Sequence, residues 1–148
     1  MITKRRLLGL DVGDRRIGCA ISDSLGLTAQ RLTLIERHAT VADVEVVRSL
    51  VEQHAAQAVI VGLPLTLHGE QGVQAGKVNT FVQALRQRLT VPVHLIDERL
   101  TTVQGERALL ATGTSRRKRK QMIDQVAAQL ILQQYLDQQV QPQAGHET

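Results

Sequence analysis

Acids at three places in the chain stand where apolar residues are expected. Asp11 closes an otherwise apolar run, with Leu7-Leu8-Gly9-Leu10 before it and Val12 after it. An acid inside such a run either reaches the carboxyl edge of a sheet or suffers desolvation; the plainer alternative is a turn aspartate ahead of Gly13-Asp14. Asp97 and Glu98 follow Val93-His94-Leu95-Ile96, again at a strand's carboxyl end, where open α/β sheets bind ligands. Side chains alternate along a strand, so one of the two points inward and the other out. The spacing does not choose between them, and a solvated loop is the alternative for both. Asp124 shares a helix face with Ala127, Ala128, Ile131 and Tyr135. The two alanines permit that helix to approach a sheet closely, and an uncompensated carboxylate there is costly or protonates. A cation is the economical remedy; pairing with Lys120 or Arg119 on an exposed flank is the alternative.

Three converging carboxylates with few other donors make a hard-cation site suited to Mg²⁺ or Mn²⁺. His38, His54, His68, His94 and His146 show no HxxxH or HxH spacing, and His68, in a Gly-bounded loop, reads as solvated. Ser22, Ser24 and Ser115 lack a His/Asp partner pattern, which leaves a nucleophilic triad unsupported. With Phe81 and Tyr135 as its aromatics, the chain lacks the rings of a base-stacking single-strand binder. The lone Cys19 excludes an internal disulfide and a multi-cysteine zinc site.

Cations gather around the acids. Arg116-Arg117-Lys118-Arg119-Lys120 directly precedes the helix bearing Asp124, and Lys4-Arg5-Arg6 with Arg15-Arg16 flank Asp11, together 10 of the 18 basic residues. A charge run is usually a solvated face, and the net charge of +4 is modest. Beside an anionic site, however, a polyanion is the natural shared partner, and nucleic acid is the better reading.

The elements that must position these groups follow from periodicity. Leu7 to Val12 and Arg16 to Ser22 read as a hairpin around Gly13-Asp14-Arg15, with Gln30 to Ile35 a third strand. Val41, Val44, Val47, Leu50 and Val51 form a helical stripe, with Thr40 as its N-cap and Asp43 three residues on. Ala58-Val59-Ile60-Val61 reads as a buried strand, and a loop from Gly62 to Gly72 leads to a helix with Val78, Phe81, Val82, Leu85 and Leu89 on its buried stripe. Val91 to Ile96 is the next strand, Thr102 to Ala111 a short helix, and Lys120 to Leu136 the last helix. The order βββ-α-β-α-β-α-α implies a partly parallel sheet. One domain over residues 1–137 and a polar tail over 138–148 account for the chain. The charged start meets Asp11 too soon for a signal peptide, and no window approaches ~18 uninterrupted apolar residues; a cytoplasmic protein with no membrane contact is expected.

Leu8 to Gly18, Val61-Gly62-Leu63-Pro64-Leu65, Asp97-Glu98-Arg99-Leu100-Thr101-Thr102 and Asp124-Gln125-Val126-Ala127-Ala128 together resemble the YqgF (RuvX) family, in order, over nearly all of Leu7 to Leu136. The resemblance implies an RNase H-like α/β fold: a five-stranded mixed sheet, second strand antiparallel, flanked by helices. It singles out Asp11, Glu98 and Asp124 as catalytic and metal-holding residues, preferring Glu98 to Asp97. It also implies a metal-dependent nuclease acting in maturation of the 5′ end of pre-16S rRNA, or on Holliday junctions. The family commonly carries Asn where Thr66 stands and Asp where His68 stands, so this loop departs from the pattern. The mechanism expected is two-metal hydrolysis, with Asp11 bridging both cations and Glu98 and Asp124 each completing one shell. Arg16, Arg99 and Arg116 to Lys120 would hold flanking phosphates, while Gly13, Gly62, Pro64 and Gly69 shape turn and groove, Gly13 with a positive φ.

Two rivals come from other classes. The stretch Asp11-Val12-Gly13 through Gly18 is also similar to the phosphate loop of actin-like kinases, but those clasp nucleotide between two such domains and this chain supplies one. A non-catalytic nucleic-acid-binding assembly factor would keep its affinity without divalent metal and yield no cleaved product. Among nucleases, a resolvase must present two sites with two-fold symmetry; the spacing leaves monomer or weak homodimer open, and precursor ribosomal RNA is favoured over branched DNA on family grounds.

Overall fold

Along strand β1 (Leu7–Val12) the side chains divide, Leu8, Leu10 and Val12 to one face and Gly9 and Asp11 to the other, and this division organises the molecule. The computed structural model describes residues 6–66, 68–98 and 116–140, the side chains of the last segment over 125–139. After β1 come β2 (Arg16–Ser22), β3 (Ala29–Glu36), α1 (Thr40–His54), β4 (Ala58–Leu63), α2 (Val73–Arg88), β5 (Val93–Asp97) and α3 (Arg116–Val140). The sheet order is β3-β2-β1-β4-β5. β2 is antiparallel to β1 and β3, while β1–β4 and β4–β5 are parallel. Short turns suffice for the antiparallel pairs; the parallel ones need crossovers, which α1 and α2 help to supply.

Each face has its own core. Leu8, Leu10, Val12, Ile17, Val59 and Val61 pack beneath α1 and α2, with Val47, Val78, Phe81 and Leu85 from the helices. On the other face Ala20, Ile60 and Ile96 meet Ala127, Ala128, Ile131, Leu132 and Leu136 of α3. The β2–β3 turn is closed by Asp23, whose carboxylate accepts the Leu27 N–H at 2.8 Å and the Thr28 hydroxyl at 3.3 Å. The Leu27 N–H chiefly, and those of Thr28 and Gly26, hold its carboxyl below the usual range.

The helix starts depart from the sequence pattern. α1 has Ala39, not Thr40, at its N-cap, without a side-chain cap. Asp43, buried, reaches back instead, accepting the His38 N–H at 3.1 Å and the Arg37 Nε–H at 2.8 Å. α3 starts at Arg116 rather than Lys120, so the basic run forms the beginning of the helix, and it continues through Val140, past the expected tail boundary. Gly62 is a strand residue, not the first of a loop. The helix expected over Thr102 to Ala111 lies outside the described residues.

Cys19 is fully buried, and burial pushes its thiol up to about 12. Because the thiolate is the reactive form, Cys19 is expected to resist a disulfide-exchange reagent in the native protein and to react fully in denaturant. Rapid native-state labelling would contradict this placement.

Candidate active site

Strand register decides which acids share a face. Leu10 pairs with Val61, which sets Asp11 level with Gly62, and Gly62 pairs with Ile96. In-register residues of parallel strands point to the same side, and Ile96 belongs to the α3-side core. Asp11 therefore faces α3, with Gly18 opposite it on β2 adding no side chain. Asp97 pairs with Leu63, which packs on the α1/α2 side. Glu98 lies one residue past the strand, and its side chain covers Gly62: a Cβ built at Gly62 would sit 2.9 Å from Glu98 Cγ. Glu98, not Asp97, thus lies on the same face of the sheet as Asp11, over the neighbouring strand. Both are almost fully buried, at 7% and 3% exposure.

Glycine lets α3 down onto this face. A Cβ at Gly9 would lie 2.8 Å from Leu132 Cβ and 3.2 Å from the Ala128 carbonyl oxygen, and one at Gly62 would lie 2.5 Å from Ile131 Cδ1. Gln129 Nε2 donates to the Ala29 carbonyl at 3.1 Å, and the Ala29 N–H donates to Gln133 Oε1 at 2.9 Å, fastening the helix to β3. Tyr135 stacks on His94 of β5 with centroids 6.1 Å apart. Since Ile131 meets Gly62 while Tyr135 meets His94, two residues back along the sheet, α3 runs from the carboxyl edge toward the amino edge. Asp124, one helical turn (~6 Å) ahead of Ala128, is carried by the backbone toward the edge holding Asp11 and Glu98. Its side chain lies outside the described residues, and among the described residues no three His, Cys, Asp or Glu side chains group to hold an ion.

The remaining expected residues are distributed as follows. Arg16 sits at the same edge with its side chain only 13% exposed, 3.9 Å from Glu36, its register partner on β3. Arg99 lies outside the described residues, as do the side chains of Arg116, Arg117, Lys118, Arg119 and Lys120. Gly13 does not adopt a positive φ; Gly26 (74°) and Gly69 (82°) do. Gly13 is needed for closeness, because a Cβ there would lie 2.9 Å from the Arg16 carbonyl oxygen across the turn. Beyond Pro64, Thr66 folds the loop: its hydroxyl oxygen accepts the Glu70 N–H at 3.1 Å and its carbonyl accepts the Gly69 N–H at 2.9 Å. A threonine can thus make the side-chain turn contact that an asparagine makes. His68 is exposed.

Gly9 and Gly62 were not evident as seats for the helix. Their signal is glycine inside an otherwise apolar, buried strand, which marks close approach by another element.

The RuvX family model, described as Holliday junction resolvase, matches residues 5–138. A relative from Moorella thermoacetica, provisionally named a pre-16S rRNA nuclease, is 49% identical over 132 residues, covering 89% of this chain and 94% of its own. One from Halothermothrix orenii with the same name is 47% identical over 134 residues, covering 90% and 96%. Among solved structures, T. thermophilus RuvC in complex with Holliday junction substrate matches with a TM-score of 0.58 and 15% identity, over 91% of this chain and 95% of that one. That likeness is one of fold, and it agrees with the RNase H-like sheet expected from the motifs.

Proposed function

The chain belongs to the RuvX family, and from that premise we propose that it is a divalent-metal-dependent nuclease that hydrolyses phosphodiester bonds in the precursor of 16S rRNA. The observation that carries this reading is the convergence of Asp11 and Glu98 on one buried face beneath α3. Two carboxylates so placed, with oxygen donors only, fit a hard cation such as Mg²⁺ or Mn²⁺. Asp11 and Glu98 would hold it, with Asp124 as the third donor. When bound, such an ion polarises a phosphoryl oxygen and lowers the pKa of water.

The chain's own residues do the rest. Gly62, level with Asp11 on β4, seats Ile131 and the Glu98 side chain, and Gly18, opposite Asp11 on β2, adds no side chain beside the carboxylate. The five cations opening α3 have no acid among them in the first turn. Cations at a helix N-terminus oppose the macrodipole, at roughly 0.3–1 kcal/mol each; phosphates arriving there relieve that repulsion. Contacts of this kind position a strand without reading its bases. A ribosomal precursor as substrate places the work in the cytoplasm, and no described helix is long and apolar enough to cross a membrane.

The family description favours a second reading, resolution of four-way DNA junctions. The test is to incubate the protein with a pre-16S RNA carrying its 5′ extension and, separately, with a four-way junction, in Mn²⁺ and in chelator. RNA cleavage in Mn²⁺ and none in chelator is expected. Cleavage of the junction alone would transfer the substrate to DNA, and tight binding without product from either substrate in Mn²⁺ would overturn the nuclease reading.

A further inference from the structure

Val12 and Gly13, which follow Asp11, also floor a cleft of about 450 Å³ on the α1/α2 side of the sheet. Its walls are Arg37, His38 and Thr40 from the β3–α1 junction and Gln74, Lys77 and Thr80 from α2. We propose that this cleft receives the sugar-phosphate backbone of the single strand leading away from the cut, and that the Lys77–Asp14 ion pair is an exchangeable latch which that backbone opens. The proposal rests on the nuclease reading above, because it takes Asp11 as the point from which the strand departs.

Three features support it. Among the described residues no Phe, Tyr or Trp lines the cleft, and its one ring, His38, is tied through Nδ1 to the Glu36 carbonyl at 3.0 Å, so the lining suits phosphate and ribose more than a run of stacked bases. Arg37 is a fixed cationic wall. Its Nε–H is bonded to buried Asp43 at 2.8 Å, its Nη1–H to the Gly13 carbonyl at 2.9 Å, and its guanidinium carbon lies 5.0 Å from the Phe81 ring centroid. Lys77 differs in kind. Its Nζ is 3.2 Å from Asp14 Oδ1, joining α2 to the β1–β2 turn at the cleft, and both side chains are more than half exposed, 55% and 61%. An exposed pair of this kind contributes only about 0–1 kcal/mol. A phosphate can therefore take Lys77 from Asp14, whereas the buried Asp43 keeps Arg37 in place.

The experiment measures binding of a short fluorescein-labelled single-stranded RNA by anisotropy, in chelator so that cleavage is excluded. The full-length protein is compared with Lys77→Ala, Asp14→Asn and the double variant. Lys77→Ala should weaken binding about fourfold at ~0.15 M salt and flatten the log–log salt slope by about 0.7, one single-strand phosphate contact. Asp14→Asn should tighten binding while Lys77 is present and lose that gain in the double variant. Equal gains from Asp14→Asn in both backgrounds would mean general charge rather than a latch, and an unchanged dissociation constant for Lys77→Ala in a protein that still cuts RNA would overturn the cleft. If the nuclease reading fails instead, the protein binds with the same coupling and yields no product in Mn²⁺.

Discussion

Replacing Asp11 with Asn is expected to lower Mn²⁺-dependent cleavage by roughly 10²- to 10³-fold, the scale on which removal of a principal charge-stabilising group acts, with a native circular dichroism spectrum. Asparagine keeps the shape of the side chain and removes its charge. Asp11 and Glu98 share the α3-side face and are both almost fully buried, so the substitution changes charge there without changing volume. The variant should therefore still unfold cooperatively in chelator. Divalent ion should stabilise the parent through binding to the native state alone, by about 2.7 kcal/mol at a hundredfold excess over Kd, and so raise its melting temperature. Asp11→Asn should lose that increment along with activity. Glu98→Gln should behave in the same way, and Asp97→Asn far more mildly, because its strand position faces α1 and α2. Full activity in Asp11→Asn, or an undiminished metal-induced rise, would remove Asp11 from the centre.

The residues that were legible in the sequence are those that break a local rule at a measurable cost. Asp11 stands out because a carboxylate among Leu8, Leu10 and Val12 has few acceptable positions, and the sheet edge is one of them. The strands β1, β2 and β4 were likewise readable from short apolar runs punctuated by glycine. Asp97 and Glu98 were not separable from residue pattern, since alternation yields two equivalent answers. The pairing of Leu63 with Asp97 and the contact of Glu98 over Gly62 resolve them; the family resemblance pointed the same way on other grounds. The start of α3 was hidden for a physical reason. Five cations without an acid are the opposite of a stabilising first turn, so local preference argues for a later start than Arg116. Thr40 was misplaced by one position because Asp43, reaching back to His38, does the work that a capping side chain would otherwise do.

Gly62 offers the sharpest test of how packing positions the site. Glycine in a strand interior is ordinarily a weakness, and alanine there would add packing and restrict the unfolded chain. At Gly62 the neighbours reverse that expectation, because a Cβ would lie 2.5 Å from Ile131 Cδ1 and 2.9 Å from Glu98 Cγ. Gly62→Ala should therefore destabilise by about 1–3 kcal/mol, the usual cost of overpacking, and should lower kcat because Glu98 must move. Gly76 provides the control. It lies within α2, a Cβ there would meet nothing within 4 Å, and Gly76→Ala should stabilise by up to about 1 kcal/mol with activity unchanged. Adding Ile131→Val to Gly62→Ala removes the Cδ1 atom in the tightest contact. Much of the lost stability should return, measured by urea melts, while kcat stays low, because the added methyl still occupies the seat of the Glu98 side chain. Recovery of stability without activity separates the two roles of this position: admitting α3 to the sheet and setting the carboxylate beside Asp11. Wild-type stability and turnover in Gly62→Ala alone would show that the Glu98 side chain does not depend on this seat.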